Sequence, residues 1–111
     1  MERILFYVTS NAIGTDHALG TRLAQSFWNS LGERLTNPAV FAFINEGVLL
    51  TIEGSPVLAS LRELERRGSQ LLSCGTCLDY YRDKGTLAVG EIGSMARLQE
   101  LMLAAPKVVK L

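Results

Sequence analysis

Ile4-Leu5-Phe6-Tyr7-Val8 is an unbroken apolar run with β-branched and aromatic members. A strand with one wet face alternates polar and apolar residues. A run without alternation fits a strand covered on both faces, the pattern of a parallel sheet between helices. Outward from it, Asn11 to Gly14 reads as a loop, and Thr15 or Asp16 can cap a helix. Leu19, Leu23, Phe27 and Leu31 then recur at spacing four, draw one apolar face and stop at Gly32. Trp28 lies beside that stripe and is expected in the core or a subunit interface. Ala39-Val40-Phe41-Ala42-Phe43-Ile44 repeats the unbroken apolar pattern and is the second buried strand.

Further on, Ser55-Pro56 reads as a cap with proline at the first helical position, where its missing N–H costs nothing. Val57, Leu58, Leu61 and Leu64 form the stripe of that helix, Glu63 can support Arg67 one turn on, and Gly68 ends it. Leu71-Leu72-Ser73, Leu87-Ala88-Val89 and Val108-Val109 supply three more strands. Ser94 can cap a helix whose Met95, Leu98, Leu101, Met102 and Ala105 face inward, with Pro106 beyond it. Five strands alternating with helices predict an α/β domain with a parallel sheet, its strand order left open. Right-handed crossovers place helices on the sheet faces and all strand C-termini along one edge.

The composition agrees. A chain of 111 residues fits a single domain over 1–111, and 48% hydrophobic with 20% charged residues excludes a disordered chain. Eleven Lys+Arg balance eleven Asp+Glu, so charge offers no footprint for nucleic acid or an anionic membrane surface. No apolar run approaches the roughly 20 residues of a membrane helix, and Met1-Glu2-Arg3-Ile4 does not open a secretory signal. Two cysteines are too few for a disulfide framework, which points to a reducing cytoplasm.

In open α/β sheets, sites form beyond the carboxyl ends of the strands. The segments expected there are Thr9 to Asp16, Asn45 to Gly54, Cys74 to Asp79 and Gly90 to Ser94. Of these, Ser73-Cys74-Gly75-Thr76-Cys77-Leu78-Asp79 carries both cysteines, as C-x-x-C. Thr76 and Asp79 have the spacing of a capping box, which would make Cys77 the first helical residue. The unpaired N–H groups and positive dipole end there favour a thiolate, with pKa values lowered to roughly 3.5–7.5 in known cases. A nearby Asp79 charge would soften the effect. Gly75 can take a positive φ and let the backbone approach a ligand. Cys74, at a strand end, reads either as a second reactive thiol or as a small core residue. Zinc needs four ligands, and the chain offers two cysteines and only His17, so no metal is expected.

The string Leu71-Leu72-Ser73-Cys74-Gly75-Thr76-Cys77-Leu78-Asp79-Tyr80-Tyr81 resembles the DsrE/DsrF-like sulfurtransferase family, most closely the C-terminal domain of YedF-type proteins of sulfur and selenium metabolism. Asn45-Glu46-Gly47-Val48, Ser55-Pro56-Val57, Val89-Gly90-Glu91-Ile92 with Met95, and Ala105-Pro106-Lys107-Val108-Val109 agree with it in order. The resemblance implies a three-layer α/β/α sandwich with a five-stranded parallel sheet, assembled as a homotrimer or hexamer. It also implies sulfur carried as a cysteine persulfide and passed between donor and acceptor proteins, without a large cofactor. The family's accepting cysteine maps onto Cys77 or Cys74, with Cys77 favoured. Two features depart from the pattern. The chain has no Cys-Pro-x-Pro motif of a TusA-like domain, so sulfur would come from a partner, such as a TusA-like protein. It also has Gly93-Ser94 before Met95 where the family pattern has Asn.

Asn45 and Gly47 are expected either to set a turn or to line the pocket. His17 reads as a solvated first-turn residue more readily than as a proton shuttle. Tyr80, Tyr81 and Arg82 frame the site or a contact between subunits. Thr9 to Gly14 lacks G-x-G-x-x-G and gives no sign of dinucleotide binding. Three readings stay open at this point: a cytoplasmic sulfur or selenium relay through Cys77, a non-catalytic oligomeric binding or regulatory module, and a dithiol redox protein using Cys74 and Cys77.

Overall fold

The computed structural model describes residues 3–111. Strand β1 (Leu5–Val8) pairs with β2 (Val40–Phe43) on one side and β5 (Val108–Lys110) on the other. β3 (Gln70–Cys74) and β4 (Glu91–Gly93) extend the sheet beyond β2, giving the order β4-β3-β2-β1-β5 with every pair parallel. Helices α1 (His17–Arg34), α2 (Leu58–Arg66), α3 (Gly75–Tyr80) and α4 (Met95–Ala104) fill the connections. All four residues of β2 are buried, as the unbroken apolar run requires of a central strand.

One face of the sheet presents Phe6, Val8, Phe41, Phe43 and Leu71 to Ala24 and Trp28 of α1 and Leu61 and Leu64 of α2. The other presents Leu5, Val40, Ala42, Leu72 and Cys74 to Leu98 of α4. This is the expected three-layer α/β/α sandwich, with a thinner second layer. Among the described residues no helix is long and apolar enough to cross a membrane.

The inward face of α1 differs from the leucine stripe. Leu19 and Leu23 are 53% and 44% exposed, whereas Gly20, Ala24 and Trp28 are buried. Both series have spacing four, and close approach decides between them. A Cβ on Gly20 would lie 2.7 Å from the Ile13 carbonyl oxygen, so only the small-residue face can sit this close. Trp28 then fills the space over the sheet, its ring 5.6 Å from Phe41 and 5.8 Å from Phe43. Asp16 caps α1 as expected, accepting the Leu19 N–H at 3.0 Å. The helix runs past Gly32 to Arg34, and the Gly32 carbonyl in its last turn accepts from the Arg67 guanidinium at 2.7 Å.

That contact also corrects the expected Glu63–Arg67 pair: Glu63 binds Arg66 instead, on an exposed face. Nor does Ser55-Pro56 open α2. The Ser55 hydroxyl accepts the Val57 N–H at 3.2 Å in a turn, and the helix begins at Leu58. Ser94 does cap α4, accepting the Arg97 N–H at 3.1 Å. Leu98 is its buried anchor; Leu101, Met102 and Ala105 are half-buried and Met95 is exposed rather than inward.

The fourth strand is Glu91–Gly93, not Leu87-Ala88-Val89. Leu87 forms an isolated antiparallel bridge to Ile52, and the Ala88 and Val89 N–H groups both donate to the Thr51 carbonyl. The chain joins the sheet only after turning at Gly90. There φ is +78°, and a Cβ would lie 2.7 Å from the Leu71 carbonyl oxygen.

The connections after β1 and β2 place α1 and α2 on the first face, and Leu78 and Tyr81 after β3 pack there too. The connection after β4 carries α4 to the second face. Neighbouring strands β3 and β4 therefore send the chain in opposite directions, which opens a crevice beyond their carboxyl ends.

Candidate functional site

β3 runs straight into α3 with no loop between them. Cys74 leaves the strand at φ −61° and ψ 124° and is itself the cap residue, so α3 starts at Gly75 and Cys77 is its third residue. This corrects the expected capping box. Thr76 is exposed and caps nothing, and the Asp79 carboxylate pairs with Arg82 at 3.1 Å on the surface. Gly75 is small for a different reason from the one expected. Its φ is not positive, but a Cβ there would meet the Ile92 side chain at 3.1 Å.

After β2, Ile44 leads into a 3₁₀ turn over Asn45–Leu50. Asn45 adopts φ +52°, tolerated because its own Oδ1 accepts the Glu46 N–H at 2.8 Å. The Asn45 N–H then points at the neighbouring connection and donates to the Cys77 sulfur at 3.1 Å. Gly47 supports this turn from beneath rather than lining a pocket. It is buried, and a Cβ would sit 2.1 Å from the Val8 carbonyl oxygen.

Cys77 is half-buried and Cys74, at 4% exposure, is part of the core. Burial pushes the Cys77 thiol above its ordinary pKa; the Asn45 N–H opposes this, and the adjoining Cys74 thiol adds to the rise. The expected lowering is therefore overturned. A helix of six residues gives little dipole, and one N–H does not repay the desolvation of a thiolate.

Ile44, Asn45, Thr76, Cys77, Tyr80, Tyr81 and Met95 line a cleft of about 490 Å³. They come from the connections after β2, β3 and β4, at the crevice the topology predicts. Tyr80 is exposed and meets Tyr81 edge-on, ring centres 5.0 Å apart. The Tyr81 hydroxyl is held above its ordinary pKa by burial, then by the Glu46 charge. A second groove of about 520 Å³ lies between α1 and α2, around Trp28, Ser60 and Arg67. It holds no thiol, and the Ser60 hydroxyl and Arg67 guanidinium there are already paired with Asn29 and the Gly32 carbonyl. Size favours that groove marginally; chemistry favours the cleft at Cys77.

The chain superposes on the ychN protein of E. coli with a TM-score of 0.72 and 22% sequence identity, covering 100% of both chains. It superposes on MTH1491 of Methanobacterium thermoautotrophicum, a protein of unknown function, with a TM-score of 0.71 and 15% identity, again over 100% of both. No family model matches the sequence, and no curated protein matches it. The fold is DsrE-like.

Within this DsrE-like fold, the structure brings Cys77, Thr76 and Asn45 to one cleft, with Cys74 buried behind Cys77. Gly75 and Gly47 are packing residues beside the cleft, and Asp79 faces away toward Arg82. His17 opens α1, exposed and not among the cleft residues. Among the described residues, no three His, Cys, Asp or Glu side chains gather as metal ligands. Sequence reading missed one scaffold element, a buried pair of hydroxyls at Thr51 and Ser73, 2.8 Å apart. Two hydroxyls separated by 22 positions leave no local pattern to find.

Proposed function

We propose that this chain is a sulfur-relay protein in which Cys77 accepts sulfane sulfur as a persulfide and yields it to a partner's thiol. The observation that carries this reading is the half-buried Cys77 sulfur, bound by the Asn45 N–H, in an aromatic-edged cleft at the switch point of a DsrE-like sheet. In loading, the Cys77 thiolate attacks the outer sulfur of a donor persulfide, and the donor's thiolate departs. In unloading, an acceptor thiolate attacks the outer sulfur now on Cys77, and the Cys77 thiolate departs, received by the Asn45 N–H.

The raised pKa has a definite consequence for such a carrier. A thiolate of higher pKa is more nucleophilic but scarcer at neutral pH, and it leaves more slowly. Cys77 is thus suited to take sulfur from a more acidic thiol and to hold it until a strong acceptor arrives. Partners in this reading are a sulfur donor and a sulfur acceptor, one of them a TusA-like protein, with selenium as an alternative cargo of a YedF-type chain in the cytoplasm. Exposed Met95 and Leu103 of α4, with Ile92 of β4 and Val108 of β5 on the two edge strands, support self-association as a homotrimer or hexamer.

Intact mass after brief exposure to polysulfide tests the reading: a gain of about 32 Da in the wild type and none in Cys77→Ser. A wild type whose mass does not change at all leaves the fold as a binding or regulatory module and ends the relay reading.

A further inference from the structure

Cys74 cannot serve as an entry point for sulfur. At 4% exposure it packs in the second core with Leu72 and Leu98, out of reach of a donor or acceptor protein. Yet Cys77 packs against that same core and is the one cleft residue to do so along with Ile44. Cys74 is the cap of α3 and Cys77 its third residue, so the two lie one helical turn apart. That spacing sets their Cα atoms about 5 Å apart, inside the range a disulfide spans.

Resting on the relay reading, we propose that Cys74 is an internal resolving thiol: it discharges a persulfide on Cys77 that finds no acceptor, releasing sulfide and leaving a Cys74–Cys77 disulfide. The Cys74 thiolate attacks the inner sulfur, the one bonded to the Cys77 Cβ. The new Cys74–Cys77 S–S bond forms as the inner–outer S–S bond breaks, and the outer sulfur leaves as HS⁻. The two cysteine sulfurs are together oxidised by two electrons and the sulfane sulfur is reduced to sulfide, so no outside oxidant enters. The Cys74 proton passes to solvent, where HS⁻ takes up one at neutral pH.

The geometry divides labour between the two attack sites. An acceptor entering through the cleft meets the outer sulfur and takes it as sulfane; Cys74, approaching from the core side, meets the inner sulfur and destroys the persulfide. The chain therefore has two exits, transfer and discharge, and the acceptor competes against an intramolecular reaction of fixed rate. The disulfide end state carries no transferable sulfane sulfur and cannot reload until a thiol reduces it.

The experiment loads the full chain with polysulfide, removes the donor by rapid desalting, and follows intact mass and free sulfide. In the wild type the adduct of about 32 Da is replaced by a species about 2 Da lighter than the starting protein, with one sulfide released per chain, and a thiol reductant restores the original mass. In Cys74→Ser the adduct outlives that of the wild type by about tenfold or more, the gain of an intramolecular attack having been removed. Cys74→Ala gives the same answer with an apolar replacement, should the serine hydroxyl disturb the core. A wild-type adduct as long-lived as that of either variant overturns the discharge and leaves the relay standing. An adduct that forms in neither the wild type nor the variants overturns the relay and the discharge together.

Discussion

The Asn45 N–H and the Cys77 sulfur lie 3.1 Å apart although 32 positions separate them in the chain. The bond joins the turn after β2 to the helix after β3, and the left-handed backbone at Asn45 aims it. Asn45→Gly keeps access to φ +52° and is expected to preserve both stability and thiol reactivity. Asn45→Val meets the Cβ clash of that region, costs about 1–2 kcal/mol, and shifts the N–H off the sulfur. Urea unfolding and the rate of iodoacetamide alkylation check the pair. Equal alkylation by the two variants would remove Asn45 from the site.

The Cys77 thiol, raised chiefly by burial, predicts how the folded chain responds to base. Its alkylation should climb with pH through a midpoint above that of a free thiol. Cys74→Ala, which removes the neighbouring thiol's contribution to the rise, shifts the midpoint down and speeds alkylation at neutral pH. Linkage gives the sign for stability. Between the ordinary and the raised value the folded chain keeps a proton that the unfolded chain has lost. Stability from this group is therefore complete below the ordinary thiol range and disappears as pH rises through the raised value. Chemical denaturation of wild type and Cys77→Ser across alkaline pH reads the difference.

The sheet was legible because parallel strands bury both faces: Leu5–Val8 and Val40–Phe43 announce themselves as unbroken apolar runs. The edge strand Glu91–Gly93 does not, since Glu91 and Ile92 are exposed, β3 is its one neighbour, and the turn at Gly90, not apolarity, places it. The cysteine segment was legible as the site by its composition and its place after β3. Its local geometry was not, because Thr76 and Asp79 satisfy the capping pattern while Cys74 already serves as the cap and the helix begins at Gly75. The thiol's pKa went the opposite way for a related reason: a spacing rule reports helix position but carries no information on how deeply a sulfur sits.

The face of α1 gives a clean contrast between pattern and packing. Trp28 is buried among Phe27, Phe41 and Phe43, and Trp28→Ala should cost about 3–5 kcal/mol. Leu23→Ala, on the stripe that the periodicity favours, removes a half-solvated side chain and should cost under about 1 kcal/mol. Denaturant midpoints for the two variants decide which face looks inward. A reversed order would place the leucine stripe, and not the tryptophan, against the sheet.

The buried hydroxyls of Thr51 and Ser73 tie the 3₁₀ turn to the end of β3, one residue before Cys74. Thr51 spends its single hydroxyl proton on the Val48 carbonyl at 2.8 Å, so Ser73 must donate to Thr51. The direction makes the two replacements unequal. Thr51→Val strands a buried Ser73 donor and should cost about 1–3 kcal/mol, whereas Ser73→Ala leaves the Thr51 proton bonded and costs about 1 kcal/mol. Combining them removes both ends of the bond, so the double variant should lose less than the two single losses added together. Strict additivity in that cycle would mean that the two hydroxyls do not act as a pair. The same cycle read by Cys77 alkylation asks whether this bond positions the thiol: loosening it should slow or broaden the reaction in Thr51→Val while the cysteine itself is untouched.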